Sequence, residues 1–285
     1  MSGVTPDTSP TTPETGKGAS NLFMRVVAAL VLAPLTILIA WIGGWPWACI
    51  VTAAAALLYV EWLTIVGASR NRLILAAGIL ALVIAGILLM VRWTDLAFVV
   101  LAVGTALAAI LASEQRLWIA GGMVYAAAAL IAAVLVRLDA NAGFLALIFV
   151  LLIVWVTDIG GYFAGRGIGG PKLWPRVSPK KTWAGAVGGL VLSLAVAAAF
   201  ALLGFGKMLP LLLFGAVLSV VSQLGDLFES AVKRRFGVKD SSQIIPGHGG
   251  LLDRLDGFVA AIVFAASIGF MRGGLDGVGR GFMVW

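Results

Sequence analysis

Two short strings near the end of the chain carry carboxylates at helical spacing. In SQLGDLFESAVKRR, residues 222–235, Asp226 shares a helix face with Ser222, Glu229 and Ser230. In LLDRLDG, residues 251–257, Asp253 and Asp256 lie one turn apart and also share a face. Two helix ends therefore offer carboxylates that could converge on one hard divalent cation. Magnesium takes oxygen ligands, commonly one or two carboxylates, with water and substrate phosphates supplying the rest.

Donors suited to phosphate surround these acids. VSPKKTWAG, residues 177–185, reads as a helix start with Ser178 as N-cap and Pro179 in the first turn. Free backbone N–H groups there would form an anion site with Lys180 and Lys181 beside them. The glycines of PGHGG, residues 246–250, let backbone approach a ligand closely. Carboxylates for a metal, with lysines and a helix N-terminus for phosphates, are the parts of phosphoryl or nucleotidyl transfer. Taken singly, each has a plainer use. Lys233, Arg234 and Arg235 could be a juxtamembrane basic patch, Asp240 a turn residue, and Tyr162 and Trp183 interfacial anchors.

The elements that must hold these residues are membrane helices. Apolar residues make up 61% of the chain and charged residues 12%, with a mean hydropathy of +1.06, far from the roughly 25% charge of soluble domains. The apolar runs are continuous and do not alternate, which excludes a barrel and predicts an all-α polytopic membrane protein. About nine spans are expected, near 22–43, 46–67, 72–91, 94–113, 118–137, 143–164, 184–204, 207–229 and 252–271. Residues 1–20, rich in Thr, Pro, Ser and Gly, predict a disordered tail. The tail is not a signal peptide, because it has no basic n-region and the run from Leu22 is too long for a cleaved segment. The expected organisation is that tail, N-terminal spans over 21–140, and a C-terminal catalytic region over 141–285.

The formal charge of +7 does not point to nucleic acid, because the basic residues sit in loops beside apolar segments. That placement suits an anionic membrane surface or a phosphorylated substrate. The single cysteine, Cys49, excludes a disulfide framework and a thiolate metal site. Two basic loops, 165–183 and 230–254, are separated by two expected spans, so both open on one side, which the positive-inside bias makes cytoplasmic. The N-terminus is then inside and the C-terminus outside, an arrangement that Arg272 and Arg280 fit poorly. Orientation does not account for Asp158, Asp226, Glu229, Asp240, Asp253 and Asp256 at the same ends, since acids contribute little to it. Glu61 stands apart inside the second span, either as a structural hydrogen-bonding group or as part of the site.

From Ser230 the string SAVKRRFGVKDSSQIIPGHGGLLDRLD resembles the signature of the phosphatidate cytidylyltransferase, or CDP-diacylglycerol synthase, family. TDIGGYFAGRGIGG, around Asp158, Tyr162, Gly165 and Arg166, and SPKKTWAG resemble two upstream blocks of that family. One departure is Ala184, where many relatives carry Glu; it puts in doubt an acidic role at that position only. The resemblance is detailed in the C-terminal half and covers the N-terminal half only as a series of spans.

The resemblance implies that CTP and phosphatidate give CDP-diacylglycerol and pyrophosphate, with magnesium and room for a second cation, at the cytoplasmic face of a bacterial inner membrane. It leaves a homodimer open. On that basis Asp226 and Asp253, then Asp256, are the expected metal ligands, and with Lys180 and Lys181 they form the expected catalytic set. Substrate binding is expected from Ser178, Thr182, Lys233, Arg234, Lys239, Asp240, Gly249, Gly250 and Arg254. His248, the only histidine, is expected to hold a phosphate or shape the glycine loop, since neither nucleophile nor leaving group needs a proton moved. Two alternatives compete: a CTP-dependent lipid-alcohol kinase, which would release CDP, and a cation transporter with Glu61, Asp158 and Asp226 along its pathway.

Overall fold

A segment placed in lipid must satisfy its backbone polar groups internally, so apolar runs of this length fold as helices. The computed structural model describes residues 34–242 and 249–285, and within them eight helices are long and apolar enough to cross a membrane. They are α1 (Gly44–Ile65), α2 (Arg72–Met90), α3 (Thr94–Leu111), α4 (Arg116–Leu138), α5 (Gly143–Gly167), α6 (Trp183–Leu202), α7 (Met208–Arg235) and α8 (Leu252–Gly273). These are the second to ninth expected spans. The tail 1–20 and most of the first span lie outside the described residues. Residues 34–36 of the segment Met1–Thr36 are helical, and so are 37–42 of the unit Ile37–Trp285.

Burial within Ile37–Trp285 follows the rule for lipid. Large apolar side chains such as Leu80, Val103, Ile110 and Leu213 face outward, while small ones such as Ala81, Ala85, Ala108 and Ala126 are buried between helices. α5 and α6 pack closely, with glycines meeting backbone. A Cβ on Gly189 would lie 2.6 Å from the Thr157 carbonyl, and one on Gly185 would lie 2.7 Å from that of Gly161. The same device joins α7 to α8: a Cβ on Gly225 would sit 2.7 Å from the Asp256 carbonyl. Trp62 of α1 stacks on Tyr125 of α4 and on Phe228 of α7, with ring centroids 5.4 and 6.2 Å away. This stack ties the N-terminal helices to the site-bearing ones.

Local chemistry sets the helix ends. Asn71 caps α2 by accepting from the backbone N–H of Leu73 and Ile74 at 3.1 and 3.3 Å. α7 runs past its expected end at 229 to Arg235, because Glu229 and Lys233 are buried against protein and need not leave the helix for water. Beyond α8, a 3-10 turn (Leu275–Gly277) and α9 (Val278–Met283) fold back on the bundle, where Asp139 accepts from the Arg280 N–H at 2.6 Å. Arg272 lies over the Trp285 ring, 3.6 Å from its centroid. Of the two arginines that fitted the topology poorly, Arg272 is thus held by a local protein contact.

The helix start expected at Ser178 is corrected. Ser178–Thr182 forms a strand, β2, pairing antiparallel with β1 (Lys172–Trp174), so that Lys172 faces Thr182 and Trp174 faces Ser178. A residue before proline is pushed to extended backbone, which takes Ser178 out of the helix. Thr182 is the cap instead: it is extended, at φ −122° and ψ 156°, and its Oγ1 accepts from the Gly185 N–H at 3.1 Å. Lys180 and Lys181 therefore lie on the strand leading into α6 and not in its first turn.

Candidate active site

The C-terminal ends of α5 and α7 meet the N-terminal ends of α6 and α8 around a cleft of about 640 Å³. Its lining includes Asp158, Tyr162 and Arg166 from α5, and Lys180 and Lys181 from β2. From α7 come Gln223, Asp226 and Lys233, and from α8 come Asp253, Arg254 and Asp256. Thr182 lines it as well. Of the expected site residues, eight share this cleft: Lys180, Lys181, Thr182, Asp226, Lys233, Asp253, Arg254 and Asp256.

Asp226 sits against a cation already, since the Lys181 ammonium pairs with its Oδ2. Ser230 Oγ, 3.4 Å away, donates to Asp226 Oδ1. This much of the oxygen-rich stripe on α7 forms. Glu229 departs from it and turns into the protein, 1% exposed, with its Oε2 2.6 Å from Lys233 Nζ. Its partner there is the Lys233 ammonium, which both donates to it and balances its charge.

Lys233 also reaches the other helix, donating to Asp253 Oδ1 at 2.6 Å. The remaining capacity of Asp253 is taken by the backbone N–H of Ser241 at 3.1 Å, the Ser241 hydroxyl at 3.0 Å and the Gly250 N–H at 2.9 Å. Asp253 is thus held by the protein from several sides. Asp256, one turn on, accepts from the Gly257 N–H at 2.8 Å and lies within electrostatic reach of Asp226 and Asp158.

Among the described residues no three of His, Cys, Asp and Glu form a preformed metal cage. The expected set of Asp226, Asp253 and Asp256 is not one, because Asp253 is engaged by Lys233, Ser241 and Gly250. The donors fit a cation of another habit. Asp226 already neutralises an ammonium, and magnesium needs only one or two carboxylates when substrate phosphates and water complete its shell.

Other expected residues take supporting places. Arg234 donates to the Val238 carbonyl at 3.0 Å and closes the end of α7. Gly249 has a φ of +81°, and a Cβ there would sit 2.9 Å from Asp253 Oδ2, so the glycine is needed for both backbone and space. Ser178 pairs in the hairpin, and Lys239 and Asp240 are exposed on the segment after α7. His248 lies outside the described residues.

Several lining residues, among them Asp158, Tyr162, Arg166 and Gln223, were not assigned to the site from sequence. Asp158 and Arg166 fall in a recognised motif; Tyr162, which read as an interfacial anchor, accepts from Arg166 Nη1 at 2.8 Å. Gln223 was missed, although its place one turn before Asp226 on the same face was a readable signal. A cation path through Glu61, Asp158 and Asp226 loses its first member: Glu61 is fully buried and its oxygens accept from four donors.

Fold and cleft together define a polytopic membrane protein with acidic and basic side chains gathered in one cleft at one end of its helices. The chain belongs to the cytidylyltransferase family, which matches residues 23–271; it is a nucleotidyltransferase. It is similar to the phosphatidate cytidylyltransferase of Brucella suis biovar 1 (strain 1330), 41% identical over 248 residues covering 85% of this chain and 91% of that one. The phosphatidate cytidylyltransferase of Bacillus subtilis (strain 168) is 48% identical over 121 residues, 41% of this chain and 44% of that one. That of Staphylococcus saprophyticus (strain ATCC 15305 / DSM 20229 / NCIMB 8711 / NCTC 7292 / S-41) is 52% identical over 115 residues, 40% of this chain and 44% of that one.

Proposed function

We propose that the protein transfers the cytidylyl group of CTP to phosphatidate at the cytoplasmic face of the membrane, releasing pyrophosphate and CDP-diacylglycerol. The observation that carries this reading is the joining, in one cleft at the ends of membrane helices, of Asp226 and Asp256 with Lys180, Lys181 and Arg254. A water-soluble triphosphate and a lipid phosphate can meet there. The basic loops at that end of the bundle support a cytoplasmic opening.

A phosphate monoester has a second pKa near about 6, so at neutral pH the lipid phosphate is largely a dianion and needs no strong base. Its oxygen attacks the α-phosphorus of CTP; the new P–O bond forms as the α–β bridge breaks and pyrophosphate leaves. The chain's task is to bring two anions together and receive the leaving charge. Lys180 and Arg254, exposed at the cleft, bind phosphate oxygens, and Lys181 can exchange its contact with Asp226 for one with substrate. The Lys233 and backbone contacts keep Asp253 in a fixed rotamer at the start of α8. Asp226 and Asp256, with Asp253 beside them, would hold magnesium, which when bound neutralises phosphate charge and orients the two substrates.

The test uses purified protein with labelled CTP, phosphatidate and magnesium, scored for both CDP-lipid and pyrophosphate. Wild type is expected to form both in equal amounts, with loss of activity on chelation. Asp226→Asn is expected to reduce turnover by at least about 100-fold. Release of CDP with a phosphorylated lipid would refute the proposal in favour of a kinase.

A further inference from the structure

Glu61 lies near the C-terminal end of α1, is fully buried, and does not line the cleft. Its Oε1 accepts from the Ser242 hydroxyl at 2.7 Å and the Leu251 N–H at 2.9 Å. Its Oε2 accepts from the Leu252 N–H at 2.6 Å and the Ser241 hydroxyl at 3.1 Å. Three of the donors precede α8 and the fourth, Leu252, is its first residue. Leu251 provides no side-chain cap for that helix, so a carboxylate from α1 satisfies first-turn N–H groups that would otherwise go unmet. Its charge also sits at the favourable end of the helix dipole.

The contacts continue into the site. Ser241 donates its N–H to Asp253, and its one hydroxyl proton lies between Glu61 Oε2 at 3.1 Å and Asp253 Oδ2 at 3.0 Å, shared by the two carboxylates. Gly250 donates to Asp253, and a Cβ on it would lie 1.9 Å from Ser241 Oγ and 2.6 Å from Glu61 Oε2. Glu61, Ser241, Gly250 and Asp253 are therefore packed without room for a methyl group. Moving any one of them moves the start of α8, which carries Asp253 and Asp256.

We infer that Glu61 is a positioning residue: from the N-terminal helices it clamps residues 241–242 to the start of α8 and so holds Asp253 and Asp256 in the cleft. The clamp is a matter of contacts alone, and its kinetic consequence rests on the cleft being the cytidylyl-transfer site.

Glu61→Gln keeps the size but turns an NH₂ donor toward two other donors, while Glu61→Asp keeps the charge on a shorter stem. Both are compared with wild type, in lipid nanodiscs, by hydrogen exchange and by steady-state kinetics with CTP and phosphatidate. Exchange in peptides covering 249–258 is expected to rise about tenfold in Glu61→Gln and less in Glu61→Asp, with α2 and α3 unchanged. Turnover is expected to fall at least about tenfold in Glu61→Gln, with a smaller rise in the KM for CTP, because Arg254 is carried on the start of α8 while Lys180 and Lys181 on β2 are not tied to Glu61. Unchanged exchange at 249–258, an equal rise across α2 and α3, or local loosening with intact turnover would each overturn the inference. If Glu61→Gln does not accumulate, Ser242→Ala removes one donor from the other side; it should loosen the same peptides, and no change there would overturn the clamp. Wild type that makes no CDP-lipid would defeat the reading of the cleft, while the exchange measurement would still decide on the clamp.

Discussion

Lys233 offers the sharpest quantitative test. Its side chain is 10% exposed, and its ammonium lies 2.6 Å from Glu229 on its own helix and 2.6 Å from Asp253 on α8. Lys233→Met keeps the stem's bulk and removes only the charge, leaving buried Glu229 and half-buried Asp253 without it. Removing one partner of a buried ion pair costs about 3–5 kcal/mol, because the charge left behind is uncompensated. A protein of this size shifts its melting temperature by roughly 2–4 °C per kcal/mol, so Lys233→Met should melt roughly 6–20 °C below wild type. Glu229→Gln should do little, within about 1 kcal/mol, since Lys233 keeps its pair with Asp253 and the Gln side-chain oxygen can still accept from the ammonium. Adding Glu229→Gln to Lys233→Met should then restore most of the loss, since the uncompensated carboxylate has gone while Asp253 keeps its Ser241 and Gly250 donors. Thermal unfolding of the three variants and wild type in one detergent near neutral pH measures all of this. A melt of Lys233→Met within about 1 °C of wild type, or a double variant no better than the single, would refute the charge accounting.

Two further substitutions test the elements that hold the cleft. Thr182→Ala should lower stability by about 1 kcal/mol through loss of the α6 cap, with Thr182→Ser close to wild type and Ser178→Ala within about 0.5 kcal/mol; thermal melts that reverse the order of positions 178 and 182 would reject the cap assignment. Gly189→Ala should cost about 1–3 kcal/mol, since its Cβ would meet the backbone carbonyl of Thr157 at 2.6 Å and backbone cannot step aside as a side chain can. Its melting temperature should fall while that of Gly121→Ala, where a Cβ meets nothing within 4 Å, stays near wild type.

Much of the fold was readable because lipid makes a blunt demand. A continuous apolar run must be a helix, and eight of the expected spans appear within a few residues of their predicted bounds. The bounds failed where burial replaced water as the surroundings of charge, as at Glu229 and Lys233, which keep α7 helical to Arg235. They failed again at Ser178, where both a cap and a strand were locally permissible and the pairing partner, Lys172–Trp174, lay in another part of the loop.

By itself the sequence determined the class of molecule, the helix ends that bear charge, and the meeting of acids with lysines at one of them, because hydropathy, loop charge and helical spacing are properties of neighbours along the chain. It could not say which carboxylate is available. Asp226 and Asp253 read alike as strings, yet one faces a lysine at the cleft and the other is bound by Lys233, Ser241 and Gly250. Nor could it choose between the two roles open to Glu61, whose partners lie 180 to 191 residues away. Only tertiary packing decides such matters, since a buried carboxylate is defined by the donors that reach it, and those arrive from other helices.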